Sequence, residues 1–338
     1  MYSVVSFPSL IQATYGDHQN SANSLIDGLK IKHGDHWYLT GAMALQEGES
    51  PRRSINAMPD SIEYQVLLKA ALLLAAQVVR QPGIVTIGAP SSVIARFLPI
   101  AKSIFSGSIE IACDGSVFGH ARSDVQFDLS ALEVIPEIVG CTIGLRKGAD
   151  NISGNFFVLN CGFGTFESGL STDQGMVERS IVTAHGFNYA LSYVSRYLRS
   201  SFGLDFVNIY RLDSAIIKGH MIINRQRVDL TAIRREAIRV YYQEIVSPAL
   251  RNIINDDTLA LTNRIYLCGG AVLYPDLVDM FMDEFNGIAD IQLVLDPQQL
   301  AAKGYLLNSL RVSNGERDIS VGIDLGNSGT RIATFESN

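Results

Sequence analysis

An aspartate and an arginine bracket a glycine-rich turn near the end of the chain: Ile319-Ser320-Val321-Gly322-Ile323-Asp324-Leu325-Gly326-Asn327-Ser328-Gly329-Thr330-Arg331-Ile332-Ala333-Thr334-Phe335. The pattern predicts an apolar strand, a tight turn and a second strand. Gly326 and Gly329 allow a sharp turn and bring backbone N–H groups close to a ligand. Successive N–H groups of that kind form an anion-binding nest, and the aspartate can hold a hydrated cation beside it. Nest, acid and base together suit a nucleotide polyphosphate with Mg²⁺. A single glycine-rich hairpin is usually no more than a turn, so the reading depends on the rest of the chain.

Three further segments supply matching parts. Asn155-Phe156-Phe157-Val158-Leu159-Asn160-Cys161-Gly162-Phe163-Gly164-Thr165-Phe166-Glu167 repeats the design of strand, glycine turn and strand. Arg264-Ile265-Tyr266-Leu267-Cys268-Gly269-Gly270-Ala271 is a strand that meets a double glycine. Leu132 to Gly140 reads as a strand running into a turn, with one acid, Glu137, at its tip.

The elements that must position these residues alternate between strand and helix. Residues 61–81 read as a helix buried on nearly all sides, because the run from Val66 to Val79 is interrupted only by Lys69 and Gln77. Ile84–Pro90 reads as a strand, 91–103 as a helix, and 108–119 and 124–127 as short strands. Residues 177–200 and 230–254 read as helices, the second kinked at Pro248. A helix is expected from Pro275 to Phe285, and the final one opens at Asp296.

At 338 residues, two domains are the natural expectation. The net charge of −7 argues against a nucleic-acid backbone as the main partner. The longest apolar run is too short to span a bilayer, and the first residues lack the pattern of a signal peptide. Cys113, Cys141, Cys161 and Cys268 show no metal-binding spacing and read as reduced, buried thiols. His33, His36 and His120 also lack metal spacing and read as surface residues.

The set of motifs resembles the actin-like ATPases, the superfamily of actin, the heat-shock chaperone ATPases, sugar kinases and the bacterial filament proteins MreB, FtsA and ParM. The first phosphate motif of that family matches Asp324, Gly326, Thr330 and Arg331. The second matches Asn160, Gly162, Thr165 and Glu167 in spacing, with Asn and Glu where the family has Asp. Pro136-Glu137-Ile138-Val139-Gly140-Cys141 and Gln299 to Gly304 resemble the two connecting motifs, and Leu267 to Ala271 the adenosine motif. Phe7-Pro8-Ser9 and Ile87 to Pro90 are most similar to the ParM and archaeal actin-like branch. The order departs from the family, whose members begin with the first phosphate motif. The resemblance therefore implies a circular permutation cut after the second strand, with 311–318 as the joining linker.

What the resemblance implies is an α/β, actin-like (ribonuclease H-like) two-domain fold with a central nucleotide cleft. Domain I would span 1–152 plus 300–338, with 10–60 as its outer part, and domain II 153–299. ATP or ADP would be held by Gly326, Asn327, Ser328, Gly329, Thr330 and Arg331, by Gly162, Phe163, Gly164 and Thr165, and by Gly269, Gly270 and Ala271. Asp324 would anchor Mg²⁺ through water, Glu137 would orient the attacking water, and Asn160 would stand in the catalytic shell without charge. Glu167 reads as structural, and Arg234, Arg235 and Glu236 as a solvated helix face. The implied function is nucleotide-dependent polymerisation by a cytoplasmic ATPase, for plasmid or DNA segregation through a DNA-binding adaptor, with no direct binding of nucleic acid or membrane. The rival reading is a non-polymerising nucleotide-binding regulator.

Overall fold

The computed structural model describes every residue except 1, 20–22, 53, 80, 119–121, 205–208, 252 and 337–338. The chain divides into two compact units, Met1–Ile152 with Gln299–Asn338, and Ser153–Gln298.

The first unit is built on a five-stranded sheet whose order is Tyr2–Pro8, Gly329–Phe335, Ser320–Leu325, Ile84–Ala89 and Ala131–Pro136. The first three strands form an antiparallel meander, and the last two run parallel to Ser320–Leu325. The end of the chain thus fills the middle of the sheet. Tyr2 pairs with Phe335 and Pro8 with Gly329, so the two chain ends lie side by side on adjacent strands.

Helix Ile62–Ala75 packs on this sheet and is buried almost all round. Ser61 caps it, its hydroxyl accepting from the Tyr64 N–H at 3.2 Å. Its other side packs under a second sheet, ordered Ile11–Thr14, His36–Thr40, Lys30–His33, Gly107–Cys113 and Ser123–Leu129. Two of those strands come from 107–129, beyond the 10–60 that the sequence suggests for the outer part. Helices Glu137–Lys147 and Leu300–Val312 pack together, and the second lies against the central sheet.

The second unit has a related plan: Gly175–Met176, Thr165–Thr172, Phe156–Cys161, Arg264–Cys268 and Asp290–Leu293, with Val182–His185 also paired to Thr165–Thr172. Again an antiparallel hairpin feeds parallel strands. Helices Asn188–Phe202, Ile209–Lys218 and Thr231–Tyr241 carry much of its core.

Several sequence expectations are corrected. Glu137 is the first residue of a helix rather than the tip of a turn, with Pro136 at the cap. An acid there is stabilised by the positive end of the helix dipole. The expected helix 177–200 is a strand, Val182–His185, followed by helix Asn188–Phe202, because β-branched Val182-Thr183 and then Gly186 interrupt it. The kink near Pro248 is absorbed by a π turn over Tyr242–Val246, which removes the need for the proline's missing N–H. All four cysteines are buried, and none is in a disulfide. His36 is exposed and His33 half-buried, while His120 lies outside the described residues. Among the described residues no helix is long and apolar enough to cross a membrane, and no three His, Cys, Asp or Glu side chains are grouped to hold a metal.

A buried ion pair lies at the edge of the outer sheet. Lys30 Nζ lies 3.0 Å from Asp114 Oδ2 and also donates to the Gly16 carbonyl at 3.1 Å. Burial alone would raise the Asp114 carboxyl, but hydrogen bonds from Ser116 and Lys30 outweigh it and hold the group at about 2. With the folded value below the unfolded one, its stabilisation, roughly 2 kcal/mol, is complete above about pH 4 and lost as pH falls through about 2. Asp114→Asn should remove that acid-dependent loss. It should also cost about 3 kcal/mol at neutral pH by leaving Lys30 buried and unpaired. Urea denaturation across pH checks both.

Candidate functional site

In the first unit the site is organised by cross-strand register. Asp324 and Arg331 are direct partners on the terminal hairpin. Arg331 Nη1 donates to Asp324 Oδ2 at 3.3 Å and to the Gly329 carbonyl at 3.1 Å. Burial pushes the Asp324 carboxyl above its ordinary range, with Arg331 pulling it partly back.

The turn between these strands is tied down from two sides. Ser9 Oγ donates to the Gly326 carbonyl at 2.6 Å and shares a 3.0 Å hydrogen bond with Thr330 Oγ1. Asn327 and Asn56 clasp each other: Asn327 Nδ2 donates to Asn56 Oδ1 at 3.0 Å, and the Asn56 N–H donates to Asn327 Oδ1 at 2.6 Å. Sequence reasoning missed Ser9 and Asn56, because their role comes from sheet pairing and a loop far away in the chain.

Beside this turn lies a small cavity of about 40 Å³, lined in part by Ser9, Asn56, Tyr64, Glu137, Gly326 and Asn327. It has room for a few waters and not for a nucleotide. The Tyr64 hydroxyl is buried there and has no hydrogen-bond partner among the described residues. Burial pushes its pKa far above the usual phenol value, and the negative charges of Asp324 and Glu137 push it further. It therefore remains a proton donor, facing two acids. In the sequence Tyr64 is marked only by lying in the expected helix 61–81, just ahead of the apolar run Val66–Val79.

The second unit gathers the other group. Asn160 is buried and pairs in register with Glu167 across the hairpin and with Cys268 on the parallel strand. The turn Gly162-Phe163-Gly164 gives its three carbonyls to the backbone N–H groups of Phe187, Asn188 and Gly186, which fixes it to the start of helix Asn188–Phe202. Thr165 begins the second strand. Gly269 has φ +90°, and a Cβ there would lie 2.5 Å from the Cys161 carbonyl oxygen and 2.7 Å from Asn160 Oδ1. Asn160, Gly162 and Gly269 thus share one end of the sheet. Gly270 and Ala271 open the short helix Gly270–Leu273.

Glu167 is fully buried and accepts from Thr183 Oγ1 at 2.9 Å, a structural bond. Arg234 and Arg235 both pair with Asp276, at 2.9 and 3.3 Å, so Arg234 belongs to the fold rather than to a solvated face. Glu236 pairs with Arg239. Burial raises the Cys161 thiol well above its ordinary value, which keeps it protonated and inert.

No protein-family profile matches the chain, and no curated protein matches it by sequence. Solved structures do match. The archaeal actin homologue Ta0583 in complex with ADP aligns at 16% identity over 90% of this chain and 92% of its own, with a TM-score of 0.70. A ParM from a 15-stranded filament of Clostridium botulinum aligns at 18% identity over 90% and 92%, with a TM-score of 0.72. This chain has the actin fold. MreB5 of Spiroplasma citri bound to ADP aligns at 13% identity over 86% and 91%, with a TM-score of 0.60.

Within this actin-like chain, the residues fit a polyphosphate with a hydrated divalent cation. Gly326 sits where a Cβ would come 2.9 Å from the Gly329 carbonyl oxygen and 3.3 Å from Arg331 Nη1, so the turn is shaped around a bare backbone. One carboxylate, Asp324, suffices for Mg²⁺, which keeps several waters and takes other ligands from phosphate.

The two neighbouring glycines of the second unit should respond differently to the same substitution. Gly269→Ala should cost on the order of 3 kcal/mol, from its Gly-only backbone and a clash with fixed carbonyl oxygen. At Gly270 a Cβ meets nothing within 4 Å, so Gly270→Ala should be close to neutral. Chemical denaturation of the two variants separates them.

Proposed function

We propose that this protein is an actin-like, Mg²⁺-dependent ATPase that polymerises with bound nucleotide, of the ParM and archaeal branch. The observation that carries the reading is the Asp324–Arg331 cross-strand pair beneath the Gly326–Gly329 turn, set in an actin fold. The second hairpin, with Asn160 and Gly162 beside Gly269, supports it.

In this reading the N–H groups of 326–329 receive one part of the phosphate chain and those of 162–165 another. Gly269, Gly270 and Ala271 lie against the nucleoside. Asp324 would hold Mg²⁺ through water, and the ion would supply charge neutralisation on the phosphates. Arg331 exchanges part of its bond with Asp324 for a phosphate oxygen. Glu137, at a helix N-terminus beside the small cavity, accepts a hydrogen bond from the attacking water and orients it. The Tyr64 hydroxyl donates to that water or to a phosphate oxygen. Asn160 contributes hydrogen bonds but no charge, which implies slow turnover. Catalysis is then mostly positioning and electrostatics.

Self-association into filaments, cytoplasmic location and segregation of a plasmid through a DNA-binding adaptor complete the proposal. ParM is the relative whose filament supports the first of these. The segment order is, on this reading, a circular permutation, since the last hairpin fills the two inner positions beside Ile84–Ala89. A non-polymerising regulator would keep the same residues and fail to assemble.

Sedimentation with Mg-ATP or a slowly hydrolysed analogue should pellet polymer, and ADP should do so less well. A monomer under every nucleotide condition would favour the regulator. Glu137→Ala should keep nucleotide affinity and cut phosphate release about 10²-fold or more. Asn160→Asp should raise it.

A further inference from the structure

The outer sheet of the first unit bears a cavity that the proposed nucleotide site does not use. Its volume is about 380 Å³, within the range of pockets that enclose a small organic ligand. Tyr15, Asp17, Lys30, His36, Trp37 and Arg122 line it, and none of them is among the residues assigned above to nucleotide or Mg²⁺.

Strand register builds this cavity. Trp37 pairs with Thr14 on one side and with Lys32 on the other, so Tyr15, the next residue, leaves the sheet beside Trp37. Cys113 pairs with both Ile31 and Ser123, which sets Asp114 next to Lys30 and Arg122. The buried Lys30 Nζ lies 3.0 Å from Asp114 Oδ2 and donates to the Gly16 carbonyl at 3.1 Å. The Gly16 N–H in turn donates to Thr14 Oγ1 at 3.1 Å. The loop that carries Tyr15 and Asp17 is therefore held in place before any ligand arrives.

Two groups in the cavity are left unused by the fold. Arg122 lies over the Trp37 ring at 5.1 Å, with its Nε 3.4 Å from Asp114 Oδ2, an acid that Lys30 already neutralises. It is 67% exposed and makes no hydrogen bond among the described residues, although a guanidinium carries five donors. Tyr15 is 90% exposed, its ring set edge-on to His36 at 6.1 Å. A single exposed tyrosine needs no explanation. A tyrosine at the mouth of a cavity that also holds an unsatisfied guanidinium has one in a ligand.

The chemistry of that ligand follows from these groups. A guanidinium fork matches the planar, bidentate carboxylate. Tyr15 and Trp37 offer aromatic surface to a planar apolar group. Asp17 and Asp35, which also line the cavity, repel a polyanion, so a nucleotide polyphosphate does not suit it. We propose that this cavity binds a small aromatic monocarboxylate, with its carboxylate on Arg122 and its ring against Tyr15 and Trp37. An α-amino group on the same molecule would be attracted by the two acids, which brings free aromatic amino acids into the class.

Trp37 is the only tryptophan of the chain, so its fluorescence reports on the cavity directly. The test titrates the full chain with phenylacetate and with L-phenylalanine, and calorimetry on the same samples confirms binding. Phenethylamine serves as a ring without a carboxylate, and inorganic phosphate as an anion without a ring. At least one of the two carboxylates should change the emission saturably, with roughly millimolar affinity or better, as a ligand of about ten heavy atoms can reach. Phenethylamine and phosphate should bind about tenfold more weakly or worse. Tighter binding of L-phenylalanine assigns the site to amino acids, and tighter binding of phenylacetate to simple carboxylates; both support the proposal. Arg122→Ala should weaken binding about tenfold or more, and Arg122→Lys should restore only part of it, because an ammonium lacks the fork. Tyr15→Ala should weaken binding about threefold or more, while Tyr15→Phe keeps it. Should an Arg122 variant fail to fold, the exposed Tyr15 pair decides. No saturable signal from either carboxylate, phenethylamine binding as well as phenylacetate, or full affinity in Tyr15→Ala would overturn the proposal.

Discussion

The structure of the first unit depends on the register between the terminal hairpin and strands from the other end of the chain. Ser320–Leu325 has Gly329–Phe335 on one side and Ile84–Ala89 on the other, so its backbone groups are satisfied only when all three are in place. Its side chains Val321 and Ile323 are fully buried, as are Ile332 and Ala333 on the neighbouring strand. A slip of one residue would turn every one of these to the wrong face. The same register puts Asp324 opposite Arg331, and Ser9 beneath the turn through the pairing of Tyr2–Pro8. Packing and chemistry are therefore fixed by one set of backbone hydrogen bonds.

Much of this was legible because the decisive signals are local. A β-branched apolar run, then glycine, asparagine, serine and glycine, then another such run, specifies a hairpin wherever it falls in a chain. The double glycine after Cys268 was equally readable, and Gly269 proves to need its backbone freedom against a carbonyl oxygen. The buried helix followed from a run with hardly any polar interruption. What was illegible depends on distant partners. Strands 107–113 and 123–129 look like short isolated runs until Lys30–His33 offers an edge to pair with. Val182–His185 was masked by the helical pattern after it. Nothing in the sequence singles out Tyr64, and only the cavity and its two acidic neighbours give its hydroxyl meaning. Glu137 was read as the tip of a turn after an apolar strand, yet the proline before it suits a helix start.

The two units use one plan with different trimming. In each, a glycine-turn hairpin leads into a parallel strand, and the turn is pinned by groups outside the hairpin: Ser9 and Asn56 in the first, the start of helix Asn188–Phe202 in the second. The first carries the charged pair and the second carries the neutral Asn160.

The account's central claim is that the terminal hairpin belongs to the middle of the first unit by register, whatever its place in the chain. The direct measurement is equilibrium unfolding in urea of a rearranged chain, in which residues 316–336 are moved ahead of Tyr2 through a short Gly-Ser linker. Phe335 and Tyr2 already face each other on adjacent strands, so the new link spans a short gap. The account predicts the same cooperative transition, within about 1 kcal/mol of the parent, since only a loop has changed. A rearranged chain that fails to fold, or loses several kcal/mol, would contradict it.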